Sequence, residues 1–185
     1  MAIRTLQKNT HALYFVTFTC YNWLPLIEKT SLYDHIYDWF RYLYSKDIKI
    51  CGYVIMPNHI HVLIFLPLQS AELRFVIGNA KRFMAYEIVK RLKDNKLIDF
   101  LVNSVPSHER KKGKIHNVFK SSYDAKECFS EDFILQKLNY MHKNPVSGKW
   151  KLANSFPDYP HSSARFYELN KIDYNFEITH YKEIT

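Results

Sequence analysis

The hydrophobic pattern begins with a strand and continues with a helix. Residues 11–22 are rich in Tyr, Phe, Val and Thr, a composition typical of a β-strand. Apolar residues then recur at helical spacing across residues 32–43. This spacing predicts an amphipathic helix that is capped by Thr30 or Ser31 and ends near Ser45.

Two more strands follow in close succession. The stretches 48–57 and 59–67 are almost wholly apolar, and they are stopped by Pro57 and Pro67 respectively. Only Pro57 and Asn58 separate the two stretches. A link this short predicts that the two strands are neighbours in one sheet and run antiparallel.

The second half of the chain contains two further helical patterns. Apolar residues keep helical spacing over residues 71–95 and again over 130–145, and Ser130 can cap the second helix. The period is lost over residues 94–118, which predicts a loop. A short strand is expected within residues 117–128.

The predicted order of elements is strand, helix, strand, strand, helix, strand, helix. This order indicates an α+β protein close to the ferredoxin-like split βαβ arrangement, with an antiparallel sheet backed by helices on one face. A length of 185 residues suits one domain. We expect a single domain over residues 1–185, with a core at about 11–145 and a C-terminal extension at 146–185.

Composition changes this picture by pointing to an anionic partner. The hydrophobic content of 47% predicts a folded chain, and the net charge of +8 makes nucleic acid the first candidate partner. The alternative is a basic protein that binds no polyanion. The basic residues considered for phosphate contacts are Lys81, Arg82, Lys90, Arg91, Arg110, Lys111, Lys112 and Lys114, although each could simply be a solvated charge.

Cysteine usage and the N-terminus bear on the cellular compartment. Cys20, Cys51 and Cys128 are odd in number and lack the spacing of a zinc site. The first twenty residues do not resemble a signal peptide, and no apolar run approaches the ~20 residues of a membrane span. We therefore expect a reduced, cytoplasmic protein that does not enter a membrane.

The third strand begins with two histidines on one face. Because residues i and i+2 of a strand point the same way, His59 and His61 form one surface near the start of the strand. Two neutral imidazoles side by side are suited to bind a metal ion. The alternative is that both are ordinary strand residues hydrogen-bonded to the backbone.

The last helix offers candidates for the rest of a site. Ile134, Leu138 and Met141 form a stripe that should face the sheet. Tyr140 lies at the border of that stripe, and Asn144 lies one turn further along the same ridge. These two side chains could point at a metal on the sheet. The alternative is that Tyr140, one of fourteen tyrosines, is simply a packing residue.

These residues carry a resemblance to a known family. The stretch "YVIMPNHIHVLI" resembles the HUH motif of the single-tyrosine transposases. The stretches "YMHKNPV" and "FPDYPHSSARFY" resemble the C-terminal signature of their REP-associated tyrosine transposase branch. The sequence departs from the family pattern at His161, where Trp is usual, and in lacking a Trp before the fourth strand.

The resemblance implies a function and roles for four residues. It implies a catalytic domain of the HUH nuclease fold, acting on single-stranded DNA that is often folded into a hairpin. His59 and His61 match the metal-binding histidines, Asn144 the residue that completes the metal site, and Tyr140 the nucleophile. The implied metal is Mg²⁺, with Mn²⁺ as a substitute, and the implied product is a 5′-phosphotyrosine with a free 3′-hydroxyl.

Other functions remain open at this level. A two-histidine phosphoesterase would need two H-x-[ST] motifs, and only "HSS" at His161 qualifies. A domesticated, non-catalytic DNA-binding protein of the same fold and a nickase of the replication-initiator or relaxase type are further alternatives. The chain could act as a monomer or as a homodimer.

Overall fold

Four antiparallel strands form the sheet of the protein. The computed structural model describes residues 12–102, 116–171 and 176–184. The strands are β1 (Ala12–Thr19), β2 (Lys49–Met56), β3 (His59–Leu66) and β4 (Asp124–Glu127). Their order is β2-β3-β1-β4 with every pairing antiparallel, which confirms the predicted ferredoxin-like α+β fold.

In the part of the chain that the structure describes, six α-helices connect and cover the strands. They are α1 (Leu26–Lys29), α2 (Tyr33–Tyr44), α3 (Leu73–Asp94), α4 (Ile98–Val102), α5 (Glu131–Lys143) and α6 (Ala164–Leu169). The helix α4 lies inside the segment predicted as a loop, where five residues are too few to show a helical period. Among the described residues, no helix is long and apolar enough to cross a membrane.

Two local predictions near the N-terminus need correction. The first strand ends at Thr19, and residues 21–23 form a 3-10 turn. The cap predicted for α2 is also wrong, because the Thr30 hydroxyl donates to the Leu26 carbonyl and closes α1 instead. Ser130 does cap α5, where its Oγ accepts from the Phe133 amide.

The two faces of the sheet carry separate apolar clusters. Ile60, Val62 and Ile64 of β3 belong to the larger cluster, which α2 and α3 cover. Leu63 points the other way and packs under α5 with Leu138 and Met141. The prediction that the helices share one face therefore holds for α2 and α3 but not for α5, because both faces of the central strands are apolar and both need cover.

A glycine lets α5 approach β2 closely. Gly52 lies at a register irregularity in β2, and a Cβ built there would lie 2.7 Å from Cδ2 of Leu138. Real Cβ atoms do not make contacts this short, so a side chain at this position would push the helix outward. Gly52 thus sets the distance between α5 and the sheet.

The C-terminal segment covers the outer edge of β2. The Ile55 amide donates to the His161 carbonyl, and the Ser163 amide donates to the Tyr53 carbonyl. The Tyr159 hydroxyl donates to the Ile55 carbonyl at 2.7 Å. These hydrogen bonds pair backbone groups of β2 that would otherwise be exposed at the edge of the sheet.

Candidate metal site and nucleophile

The two histidines of β3 lie side by side beneath α5. Their ring centroids are 4.7 Å apart, and their exposed fractions are 6% for His59 and 3% for His61. Burial lowers the pKa of His59 to about 4. Burial, assisted by the neighbouring His59 and Lys137, lowers the pKa of His61 to about 3. Both rings are therefore neutral at physiological pH, which is the form that binds metal.

A hydrogen bond assigns the tautomer of His59. The Asn58 side-chain amide donates through Nδ2 to the Trp23 carbonyl at 3.0 Å, so its Oδ1 faces the imidazole. His59 Nδ1 donates to that oxygen at 2.6 Å. The lone pair of His59 therefore resides on Nε2, which remains available as a ligand.

His61 has the same arrangement with different partners. Asn144 Nδ2 donates to His61 Nε2 at 3.3 Å, so the ring proton is on Nδ1. Nδ1 donates to the Thr17 hydroxyl oxygen at 2.7 Å. Both histidines thus carry their proton on the nitrogen held by a polar neighbour and turn a lone pair toward Asn144, as metal-binding histidines do.

Asn144 brings an amide to these two lone pairs. It immediately follows α5 and opens the 3-10 turn Asn144–Val146, and its side chain also lies within hydrogen-bonding reach of His59. A side-chain amide contains both donors and an acceptor oxygen, so the same residue can meet an imidazole or a cation. Two imidazoles and one amide oxygen fit a divalent ion that leaves positions for substrate oxygens. Within the described ranges, no cluster of three His, Cys, Asp or Glu competes as a metal site.

Tyr140 stands next to this group at the surface. Its ring lies 5.3 Å from the His61 ring at an interplanar angle of 70°, and 53% of the residue is exposed. Leu138 and Met141 on the neighbouring stripe are buried, as the helical period predicts. The structure thus brings Tyr140, His59, His61 and Asn144 together within one chain.

Positive charge surrounds the group from residues that the sequence did not single out. Lys137 lies one helical turn before Tyr140, with Nζ 5.4 Å from the centre of the Phe15 ring, and its charge acts to lower the pKa of His61. Lys149 acts in the same way on His59. A surface cavity of about 450 Å³ continues past Tyr140 and is lined by Lys143, among others. The i, i+3 spacing of lysines around Tyr140 was the signal that could have found them.

The basic residues proposed for DNA contacts differ in their surroundings. Lys81 Nζ donates to the carbonyls of Lys120, Ser121 and Ser122 at 2.6, 2.9 and 3.3 Å, and burial lowers its pKa. Its ammonium therefore supports the backbone before β4. Arg91 is held by Asp34 and Glu87.

The remaining basic candidates are less constrained. The Arg82 guanidinium lies 4.8 Å from the centre of the Phe83 ring, and the Lys90 ammonium is 4.0 Å from Glu87. Arg110, Lys111, Lys112 and Lys114 lie outside the described residues.

His161 does not join the histidine pair. Its ring stacks on Tyr33 with centroids 3.7 Å apart, and Nδ1 is 3.1 Å from the Tyr37 hydroxyl. It sits at the outer edge of β2 against α2, whereas His59 and His61 lie under α5. This separation argues against the two-histidine phosphoesterase. The stacking also shows that His161 fills a flat slot, in which an aromatic residue such as Trp is a natural alternative.

The fold is shared with a known transposase. The chain superposes on the structure of a REP-associated tyrosine transposase bound to a REP hairpin with a TM-score of 0.61 and 15% identity, over 98% of this chain and 95% of that one. The protein has the fold of that transposase. A candidate transposase from Deinococcus radiodurans matches with a TM-score of 0.43 and 13% identity, over 77% of this chain and 95% of that one. No protein-family model matches the sequence, and no curated protein matches it either.

Proposed function

We propose that the protein is a metal-dependent transposase or nickase that cleaves and rejoins single-stranded, hairpin-forming DNA. The observation that carries this proposal is the placement of Tyr140 beside two neutral imidazoles whose Nε2 lone pairs turn toward Asn144. The shared fold with a transposase solved on a REP hairpin supports the choice of DNA as substrate. The net charge of +8 is also consistent with a polyanion.

The chemistry of the site suits a phosphodiester. His59, His61 and Asn144 would hold Mg²⁺ or Mn²⁺, which when bound would neutralise and polarise the scissile phosphate. The role of Asn58 and Thr17 is to keep the ring protons on Nδ1 so that both Nε2 atoms face the site. Lys137 and Lys143 flank Tyr140 by one turn on either side and provide positive charge for the phosphate.

Tyr140 is the nucleophile in this proposal. Its exposed phenol gives its proton to water, and Oη attacks phosphorus to form a bond while the bond from phosphorus to the 3′-oxygen breaks. The leaving oxygen takes a proton and becomes a free 3′-hydroxyl. The 5′-phosphotyrosine keeps the bond energy, so attack by another 3′-hydroxyl reverses the step and rejoins DNA without ATP.

Mass spectrometry of the DNA-linked peptide tests the nucleophile. The protein is incubated with Mg²⁺ or Mn²⁺ and hairpin oligonucleotides that carry single-stranded flanks, and the expected adduct maps to Tyr140. Tyr140→Phe should abolish the adduct, whereas Tyr123→Phe, the matched control, should retain it. An adduct that survives Tyr140→Phe would show that the nucleophile is another residue, with Tyr123 next in line.

Metal binding is tested separately from cleavage. Titration of Mn²⁺ followed by electron paramagnetic resonance should show one site in the parent protein and none in His59→Ala. Unchanged Mn²⁺ binding in that variant would reject the proposed ligand set. Hairpin binding with no adduct under any metal would instead favour the non-catalytic, domesticated alternative.

A further inference from the structure

A partly exposed tryptophan lies directly beside the candidate metal site. Trp23 belongs to the 3-10 turn that follows β1, and 54% of the residue is exposed. Its ring centroid is 5.9 Å from that of His59, with an interplanar angle of 79°. Tryptophan is enriched at recognition surfaces, because it joins a large apolar ring to a polar N–H group.

The backbone that presents this ring is strained and firmly held. Asn22 and Trp23 both have positive φ, at 51° and 58°, a conformation that non-glycine residues adopt only when the surroundings enforce it. The Trp23 carbonyl accepts the Asn58 amide, and the Trp23 amide donates to the Cys20 carbonyl at 3.1 Å. Asn58 also orients His59, so the tryptophan and the histidine are coupled through one side chain.

A lysine completes the arrangement around Trp23. Lys120 Nζ lies 4.3 Å from the centre of the Trp23 ring, and the Lys120 amide donates to the Thr19 carbonyl at 2.9 Å. Lys120 also lines a surface cavity of about 540 Å³ together with Arg82, Tyr86 and His116. A rigid ring with a cation beside it, leading into a basic and aromatic cleft, is the combination that binds single-stranded nucleic acid.

We propose that Trp23 and Lys120 form a nucleotide subsite next to the scissile phosphate. A base of the single strand stacks on the Trp23 ring, and the adjoining phosphate is held by Lys120. From there the strand enters the cleft that Arg82 and Tyr86 line. This inference rests on the proposed function, since it places one segment of the DNA on which Tyr140 acts.

Stacking determines what the subsite contributes. Every base has a face that can stack, so Trp23 strengthens binding and positions the strand without selecting a sequence. Loss of one stacked base should increase the dissociation constant roughly 5- to 150-fold. Loss of one phosphate contact should lower the steepness of the salt dependence by about one unit of slope.

Binding of single-stranded oligonucleotides in EDTA tests the subsite without cleavage. All proteins carry Tyr140→Phe, and affinity is measured by fluorescence anisotropy. Trp23→Ala should weaken binding at least 5-fold, and Lys120→Ala should weaken it with a shallower dependence on salt. Phe129→Ala is the control, because Phe129 is 84% exposed and precedes α5, whose first residue lies roughly 14 Å along the helix axis from Tyr140.

Intrinsic fluorescence supplies a second measurement that needs no destabilising change. The chain contains three tryptophans, and DNA should quench the emission of the parent protein. Trp23→Phe should remove most of this quenching, although Trp39 and Trp150 remain. Binding and quenching that are both unchanged in the Trp23 variants would overturn the subsite while leaving the function intact. A parent protein that binds no single-stranded DNA would overturn both.

Discussion

The two faces of β3 show how one strand serves two purposes. On one face Ile60, Val62 and Ile64 join a large apolar cluster that α2 and α3 close. On the other face His59 and His61 replace the first apolar residues, and α5 leaves Tyr140 exposed beside them. The first face stabilises the fold, whereas the second accepts buried polar groups in order to form a site.

Three buried histidines on the α5 face each have a hydrogen-bond partner. His59 is bonded to Asn58, His61 to Thr17 and His142 to the Ser163 hydroxyl at 2.8 Å. Pairing offsets the cost of burial, since a buried polar group without a partner is strongly destabilising. Hydrogen bonds, and not only apolar contacts, therefore fix the orientation of each of these rings.

The largest expected effect comes from replacing His61 with alanine, compared with the same replacement of Ile60 on the opposite face. His61→Ala should reduce adduct formation about 1,000-fold, because a metal ligand supplies several kcal/mol of transition-state stabilisation. Ile60→Ala should instead lower the free energy of unfolding by about 2–5 kcal/mol while the folded protein keeps its activity. Single-turnover cleavage and urea denaturation of both variants check this. If both variants lost activity equally, the two faces of β3 would not have the separate roles described above.

The position of α5 should matter next. Gly52→Ala forces a Cβ toward Leu138, and the resulting shift of the helix should reduce cleavage on the order of 100-fold. Stability should fall by about 1–3 kcal/mol. Gly78→Ala on α3 is the matched control, because a Cβ built at Gly78 meets no described atom within 4 Å outside the adjoining residues and backbone of its own helix. Cleavage by Gly52→Ala at the rate of this control would show that Tyr140 does not depend on close packing.

A smaller effect is expected from the partner of His61. Thr17→Val keeps the shape of the side chain but removes the acceptor for Nδ1, so Mn²⁺ affinity should fall about 10- to 100-fold. Thr30→Val serves as the control, since the Thr30 hydroxyl donates to the Leu26 carbonyl of α1 and not to a histidine of the site. The affinities can be measured by electron paramagnetic resonance. Equal affinity in the two variants would argue against orientation of His61 by Thr17.

The smallest effect concerns pH and His142. Burial lowers the pKa of His142 to about 4, compared with about 6.5 in an unfolded chain. Between these pH values the unfolded state binds one more proton at His142 than the folded state does. The contribution of His142 to the free energy of unfolding is therefore fully present above pH ~6.5 and is lost as the pH falls toward 4. His142→Gln should reduce the slope of unfolding free energy against pH by about 1 kcal/mol per pH unit between pH 6 and 5. Chemical denaturation at several pH values measures this slope, and an unchanged slope would contradict the assignment.

Much of the fold could be predicted because its signals are local. The alternation through β3 and the helical periods of α3 and α5 depend only on neighbouring residues. Two of the exceptions have local causes too. The Thr30 hydroxyl bonds within the turn before it, and the five residues of α4 are too short to show a period.

The sequence by itself determined that His59 and His61 share a face and that Tyr140 and Asn144 share a helical ridge. Those relations follow from backbone geometry within one element. Only the tertiary structure decided that α5 covers the histidine face, that Gly52 admits it and that Trp23 lies beside His59. Such contacts join residues far apart in the chain, and they depend on how whole elements pack, which no local pattern encodes.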